Sequence, residues 1–293
     1  MSINNSKKFK RQENRKIIFI ASYPKSGNTW LRLIVCCLLY LKEKKIDLKI
    51  LNNIGLFSKS DNFEFFNDKK YQKNGNLDFN WIISKWIKSQ KIINNTSTKN
   101  IFFKTHNVQG LVNNHFFTDE TTCLGFIYIV RDPRDVAVSL AKHMGINYDD
   151  AINEMLFNSK RMTSHKKVNE FVSTWKNNVS SWIQYKKVNS LILRYEDLIN
   201  HEIESIEKIS KLISNLTNLK FDFSKNKIIE ISKLINFKNL QNMEKDKGFI
   251  ESSNHSKFFR EGSSGRWKKK LKQSQYKLIE KELYKEMGHL SYY

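Results

Sequence analysis

The sequence predicts an α/β fold with a central parallel β-sheet flanked by helices, and three observations predict it. Short apolar runs without polar alternation recur along the chain. Helical patterns separate these runs, and two of the runs lead into turns that open helices. The two prolines, Pro24 and Pro133, each closely follow such a run: Ile17-Ile18-Phe19-Ile20-Ala21 and Phe126-Ile127-Tyr128-Ile129-Val130. Runs of this kind suit strands buried on both faces. Ile101-Phe102-Phe103-Lys104 and Leu191-Ile192-Leu193-Arg194 are two further strands of the same type.

Between them, residues 29–41 are apolar enough for a core helix. Residues 134–144 follow Asp132-Pro133, which reads as an N-cap and a first-turn proline. Residues 150–187 carry Trp175, Val179, Trp182 and Ile183 at three- and four-residue spacings and read as an amphipathic helix; residues 202–214 read as another. The polar, aromatic-sprinkled stretches 52–80 and 241–257 read as lids or loops. No linker composition interrupts the chain, so we expect a flexible N-terminal tail over residues 1–16 and one domain over 17–293.

A hydrophobic content of 40% with 13% aromatics is a globular composition and excludes a disordered chain. Lys plus Arg number 51 against 29 acidic residues, a net charge of +22. Such a balance predicts an anionic partner, whether nucleic acid, an acidic surface or a phosphorylated or sulfated small molecule; a solvated basic face is the competing reading. Cys36 and Cys37 are adjacent and Cys123 stands alone, with no zinc-type spacing, which fits a reducing interior. The polar residues 1–15 lack the apolar core of a signal peptide, and the apolar run 33–41 is far shorter than the ~20 residues of a membrane span. A cytoplasmic protein without a membrane anchor or a metal is expected.

After the first strand comes Ser22-Tyr23-Pro24-Lys25-Ser26-Gly27-Asn28-Thr29-Trp30 and then a helix. That order aims backbone N–H groups and a helix N-terminus at one spot, which suits a phosphate. Gly27 permits close approach, Lys25 adds a cation, and Ser26, Asn28 and Thr29 add hydrogen-bonding side chains. The Gly-Lys pair of a nucleoside-triphosphate loop is missing. A second strand exits through Arg131-Asp132-Pro133-Arg134-Asp135, with Ser139 two turns into the helix, so an Arg fork and a hydroxyl converge on another anion. Local pairing of Arg131 and Arg134 with Asp132 and Asp135 is the alternative, and both can hold. Two anion sites in one sheet suggest a ligand with phosphates at each end.

These residues resemble the sulfotransferases that use 3′-phosphoadenosine 5′-phosphosulfate (PAPS), which implies a P-loop-NTPase-like sulfotransferase fold. The family's Y-P-K-S-G-T-T-W loop is matched from Tyr23 to Trp30 with one change, Asn28. Its R-[ND]-P-[KR]-D-x-x-x-S segment is matched from Arg131 to Ser139. Its F-x-R-x-G-x-x-G-x-W-K signature is matched by Phe258, Arg260, Gly262, Gly265, Trp267 and Lys268. Its K-[ST]-H is present as Lys104-Thr105-His106, and its Y-E-D-hydrophobic segment as Tyr195-Glu196-Asp197-Leu198.

The resemblance implies that Lys25, Ser26, Gly27, Asn28 and Thr29 hold the 5′-phosphosulfate while Trp30 and Phe237 sandwich the adenine. It implies that Tyr195 reaches the base, and that Arg131, Ser139, Arg260 and the backbone near Gly262 bind the 3′-phosphate. His106 is then the general base, helped by Lys25 and Lys104 at the charge developing during transfer, with no metal required. Several positions depart from the family. Glu261 stands where a Lys is usual, Asn236 precedes Phe237 in place of Ser, and Asn107-Val108 replaces Leu-Pro after the histidine. No dimerisation signature is recognisable between residues 268 and 280, so the oligomeric state stays open. The acceptor expected is a hydroxyl of a small molecule. Phe57, Phe63, Phe65 and Phe66 either line its pocket or pack a lid against the core. The competing classes are a kinase or NTPase with an atypical phosphate loop and a basic nucleic-acid-binding protein.

Overall fold

A computed structural model of the protein describes residues 14–41, 45–67, 72–73, 76–165, 168–217, 219, 224–249, 251, 258–259 and 262–293. Its strands are β1 (Ile17–Ser22), β2 (Gly55–Leu56), β3 (Gln72–Lys73), β4 (Asn76–Leu77), β5 (Ile101–Thr105), β6 (Leu111–Val112), β7 (His115–Phe116), β8 (Cys123–Val130), β9 (Met162–His165), β10 (Val168–Phe171) and β11 (Asn189–Arg194). Its helices are α1 (Asn28–Tyr40), α2 (Phe79–Thr96), α3 (Pro133–Met144), α4 (Tyr148–Leu156), α5 (Trp175–Gln184), α6 (Tyr195–Asn200), α7 (Glu202–Thr217), α8 (Lys225–Leu234), α9 (Phe237–Lys247), α10 (Trp267–Lys270), α11 (Gln273–Glu282) and α12 (Tyr284–His289).

Five strands form the main sheet in the order β11-β8-β1-β5-β2, and every pair in it is parallel. This is the α/β architecture expected from the unalternated apolar runs. β1 shows why those runs are unalternated, because Ile17, Phe19 and Ala21 join the core on one face while Ile18 and Ile20 join the core on the other. The first core is aromatic: Trp182 and Phe117 both meet Phe19, and Phe57 and Phe63 pack edge-on within it. Phe57 and Phe63 are therefore core residues, while Phe65 is exposed.

The register fixes the functional edge. Ala21 lies opposite Thr105, Ser22 opposite Ile129, and Arg194 opposite Val130. Four strands thus end at one level, and the chain leaves them through the Tyr23–Trp30 loop, His106, Arg131 and Tyr195. Ligands of open parallel sheets sit at this carboxyl edge.

Two expectations about elements change. Residues 150–187 do not form one helix: α4 ends at Leu156, the antiparallel hairpin β9–β10 follows, and α5 starts only at Trp175. The apolar periodicity that suggested a helix belongs to α5 alone. Its true start signal is Thr174, whose side chain accepts from Asn177 N, just after Ser173 in a left-handed conformation (φ 61°). Residues 241–247 are the last turns of α9 and not a loop. Buried Glu244 holds this segment to the next, accepting from the backbone N–H groups of Phe258 (2.6 Å) and Phe259 (2.8 Å). Among the described residues no helix is long and apolar enough to cross a membrane.

Candidate active site

The loop after β1 ends in Gly27, which caps α1 in a left-handed conformation with φ 101°. Among the described residues no side chain caps α1, and an uncapped helix start of this kind suits an anion. A Cβ on Gly27 would sit 2.5 Å from Cδ2 of the Tyr195 ring, so glycine is required for space as well as for backbone. Gly27→Ala is expected to lower stability by about 2 kcal/mol. A thermal melt would register this as a drop of roughly 5 °C; an unchanged melt would show that the loop is not held in this shape. Lys25 is also left-handed, φ 69°, which is unfavourable for a residue with a side chain and typical of functional loops. Its ammonium lies 4.6 Å from the centre of the Phe258 ring.

Arg131 emerges beside this loop. Its guanidinium donates to the carbonyls of Ser263 (3.0 Å) and Lys25 (3.4 Å) and stacks 4.3 Å over the Tyr195 ring. Local pairing is present as well. Asp132 caps α3 and receives Arg134 at 2.7 Å, while Asp135 lies 3.8 Å from Arg131. Asp135 has a second task, accepting from the backbone N–H groups of Gly265 (2.6 Å) and Trp267 (3.0 Å). The segment from Gly262 to Trp267 is thereby fastened to α3.

Lys25, Gly27, Thr29, Trp30, Arg131, Ser139, Tyr195, Phe237 and Gly262 all line one cavity of about 80 Å³. The Phe237 ring lies on Gly262, where a Cβ would come within 2.4 Å of it. Asn236, in place of the usual Ser, accepts from Asn239 N at 3.0 Å and so caps α9. Around the cavity, Ser26 Oγ, Trp30 Nε1 and Arg131 Nε are buried without a hydrogen-bond partner among the described residues. Buried polar atoms are seldom left so, and a cluster of them beside an uncapped helix start fits an anionic ligand. Arg260 and Glu261 lie outside the described residues.

His106 stands on the other side of β1. Its Nδ1 faces the carbonyl oxygen of Ser22 at 2.7 Å, so Nδ1 carries the proton and Nε2 presents a lone pair. Burial, with Lys104 beside it, pulls the imidazole down to about 3, so it is neutral over the working pH range. Asn28 points inward: its Nδ2 donates to the Ile20 carbonyl and to Ser22 Oγ, both at 3.2 Å. Ser22 Oγ in turn lies 3.2 Å from His106 Nδ1. The residue that departs from the family loop therefore connects that loop to the imidazole. Asn107, another departure, is buried and closes the turn after His106. Its side chain meets Thr105 Oγ1 at 3.1 Å and accepts from Phe171 N at 2.8 Å.

Three acidic or basic partners at the site carried no sequence signal. Glu170, on β10, accepts from Lys104 Nζ (3.1 Å), Thr105 Oγ1 (3.2 Å) and His106 N (2.6 Å). Glu251 accepts from Thr29 Oγ1 at 2.7 Å and pairs with buried Arg32. Burial would raise the Glu251 carboxyl, but Arg32, Thr29 and Lys104 bring it below the ordinary range.

Over residues 15–291 the chain matches the sulfotransferase domain. The chain belongs to the sulfotransferase family. As a member it is a PAPS-dependent sulfotransferase enzyme. This sulfotransferase is similar to the 3-alpha-hydroxysteroid sulfotransferase of Cavia porcellus, 25% identical over 257 residues covering 84% of this chain and 75% of that protein. It is similar also to the luciferin sulfotransferase of Photinus pyralis, 27% identical over 228 residues covering 77% of this chain and 56% of that protein. Among solved structures, retinol dehydratase in complex with androsterone and the inactive cofactor PAP shares the fold with a TM-score of 0.61 at 22% identity. The match covers 93% of this sulfotransferase and 80% of that chain. A mouse sulfotransferase complexed with PAP follows at a TM-score of 0.57 and 19% identity, covering 93% and 84%.

Proposed function

We propose that residues 17–293 act as one catalytic domain. In this reading the domain transfers the sulfuryl group of PAPS to a hydroxyl of a small acceptor, with His106 as general base. The observation that carries this reading is the bond from His106 Nδ1–H to the Ser22 carbonyl. It fixes one tautomer and leaves Nε2 free to take the acceptor's proton, at the strand end next to the phosphate loop.

Lys25, Ser26, Gly27, Thr29 and the start of α1 would hold the 5′-phosphosulfate, and Asn28 would support that loop from behind. Trp30, Tyr195 and Phe237 would enclose the adenine. Arg131 and Ser139, with Gly262 and Arg260, would bind the 3′-phosphate. PAPS supplies an activated sulfuryl group and a phosphate leaving group. His106 accepts the hydroxyl proton as the acceptor oxygen attacks sulfur, and Lys25 and Lys104 offset the negative charge that builds on the departing phosphate. Acceptor space is supported by an apolar cavity of about 440 Å³ whose lining includes Ile46, Leu48, Leu51, Ile54, Leu56 and Met243. Leu56 pairs with Lys104 in the sheet, and Glu251, which touches Thr29, also lines the cavity. The cavity thus reaches the donor loop through Glu251 and the strand of Lys104 through Leu56.

Titration with 3′-phosphoadenosine 5′-phosphate (PAP) tests the donor site. PAP raises the melting temperature, AMP does so weakly, and Arg131→Ala abolishes most of the PAP shift. An equal response to AMP and PAP, or a preference for ATP with magnesium, would sink the two-phosphate reading.

A further inference from the structure

Glu170 is 1% exposed: burial opposes its ionisation, but the Lys104 ammonium and the main-chain N–H of His106 bring the carboxyl below its ordinary range. A buried carboxylate is costly unless its oxygens are fully used, and an apolar residue would serve a core better. Here both oxygens are used, and among the described residues their donors are consecutive at one strand end: Lys104 Nζ, Thr105 Oγ1 and His106 N. The rest of the β9–β10 hairpin reinforces the same segment. Val108 N donates to the Phe171 carbonyl at 2.8 Å, and Asn178, at the start of α5, donates to the His106 carbonyl at 3.0 Å.

We infer that Glu170 is a positioning residue for sulfuryl transfer, its carboxylate holding Lys104 and His106 in fixed relation at the end of β5. The inference rests on the roles proposed above for those two residues. The Glu170 carboxylate is occupied by Lys104, Thr105 and His106 of the chain itself. It acts by restraining a side-chain cation and a main-chain amide at once, which no apolar residue can do. Charges facing the imidazole are those of Lys104, Glu170 and Glu251, so removal of Glu170 also leaves the Lys104 ammonium uncompensated beside His106.

The test uses the full chain and needs no identified acceptor. PAPS is hydrolysed with water as acceptor, giving PAP and sulfate, and PAP affinity is measured by calorimetry on the same proteins. The histidine ¹⁵N spectrum of each variant reports the Nδ1–H tautomer of His106. Glu170→Ala is expected to lower the hydrolysis rate about 100-fold, the scale of a misplaced catalytic group. Its PAP affinity is expected to stay within about threefold of wild type, and its His106 signals are expected to move. Glu170→Gln, which keeps the size and one acceptor oxygen, falls between, about tenfold down. A Glu170→Gln protein with wild-type hydrolysis and unmoved His106 signals overturns the inference. So does a loss of rate that is matched by an equal loss of PAP affinity and fold in both variants. His106→Ala separates the two claims: full hydrolysis in that variant removes the base reading, whatever Glu170 does. Impaired hydrolysis in His106→Ala beside an intact Glu170→Ala removes the positioning role alone.

Discussion

Arg134→Ala is expected to lower the stability of this sulfotransferase by about 3–5 kcal/mol, the scale for breaking a buried ion pair by removing one partner. Arg134 is 6% exposed and works at the centre of a network that joins α3 to the end of the chain. It pairs with Asp132 at 2.7 Å and with Glu280 at 2.7 Å, and it donates to the Tyr292 carbonyl at 2.8 Å. Its guanidinium also lies 4.0 Å from the centre of the Trp267 ring. Alanine would leave the Asp132 and Glu280 carboxylates without their shared cation and strip one face of Trp267. The melting temperature should fall on the order of 10 °C, with Arg134→Lys recovering part of the loss because a single ammonium cannot reproduce the fork. A fall of only a degree or two would show that the network is replaced by water.

His106→Ala is expected to lower kcat by about 10²–10⁴-fold, the usual contribution of a positioned base, without weakening PAP. The rate is read as PAP released from PAPS in the presence of a panel of phenols and alcohols, and with water. Equal rates in wild type and variant would exclude the imidazole as the base. The pH profile carries a separate signature. The folded imidazole is held near 3, below the ordinary value of about 6.5, so in the free enzyme it remains neutral as pH falls through 6.5. The kcat/KM profile should therefore show no acid limb near 6.5. An anionic donor beside the ring favours the imidazolium, so the acid limb of kcat should lie at higher pH than that of kcat/KM. The same depression acts on folding. Its stabilising share is whole above about 6.5 and is lost as pH falls from there toward 3.

What could be read from the sequence was what local chemistry determines. The unalternated runs gave β1 and β8 because a strand buried on both faces leaves no polar positions. Asp132-Pro133 marked the start of α3 because a cap and a fixed φ act within a few residues. The Tyr23–Trp30 loop was legible as a strand-to-helix turn because its residues are neighbours in the chain. Glu170 was not, because its partner His106 is 64 residues away and nothing in Val168-Asn169-Glu170-Phe171 announces that pairing. Arg32 and Glu251 meet across 219 residues and were missed for the same reason. The helix expected over 150–187 failed because a short periodic segment, α5, was extended backward through residues that form a hairpin.

The short path Asn28–Ser22–His106 has a thermodynamic consequence. Ser22 offers its carbonyl to the imidazole proton and its hydroxyl to Asn28, so a ligand that reshapes the loop alters the energy of placing a proton on that ring. Linkage runs both ways: whatever free energy nucleotide occupancy contributes to imidazole protonation, protonation returns to nucleotide affinity. Any such coupling would make proton uptake and nucleotide binding two measurements of one quantity, and Asn28, the one position where this loop departs from the family's pattern, lies between the two groups.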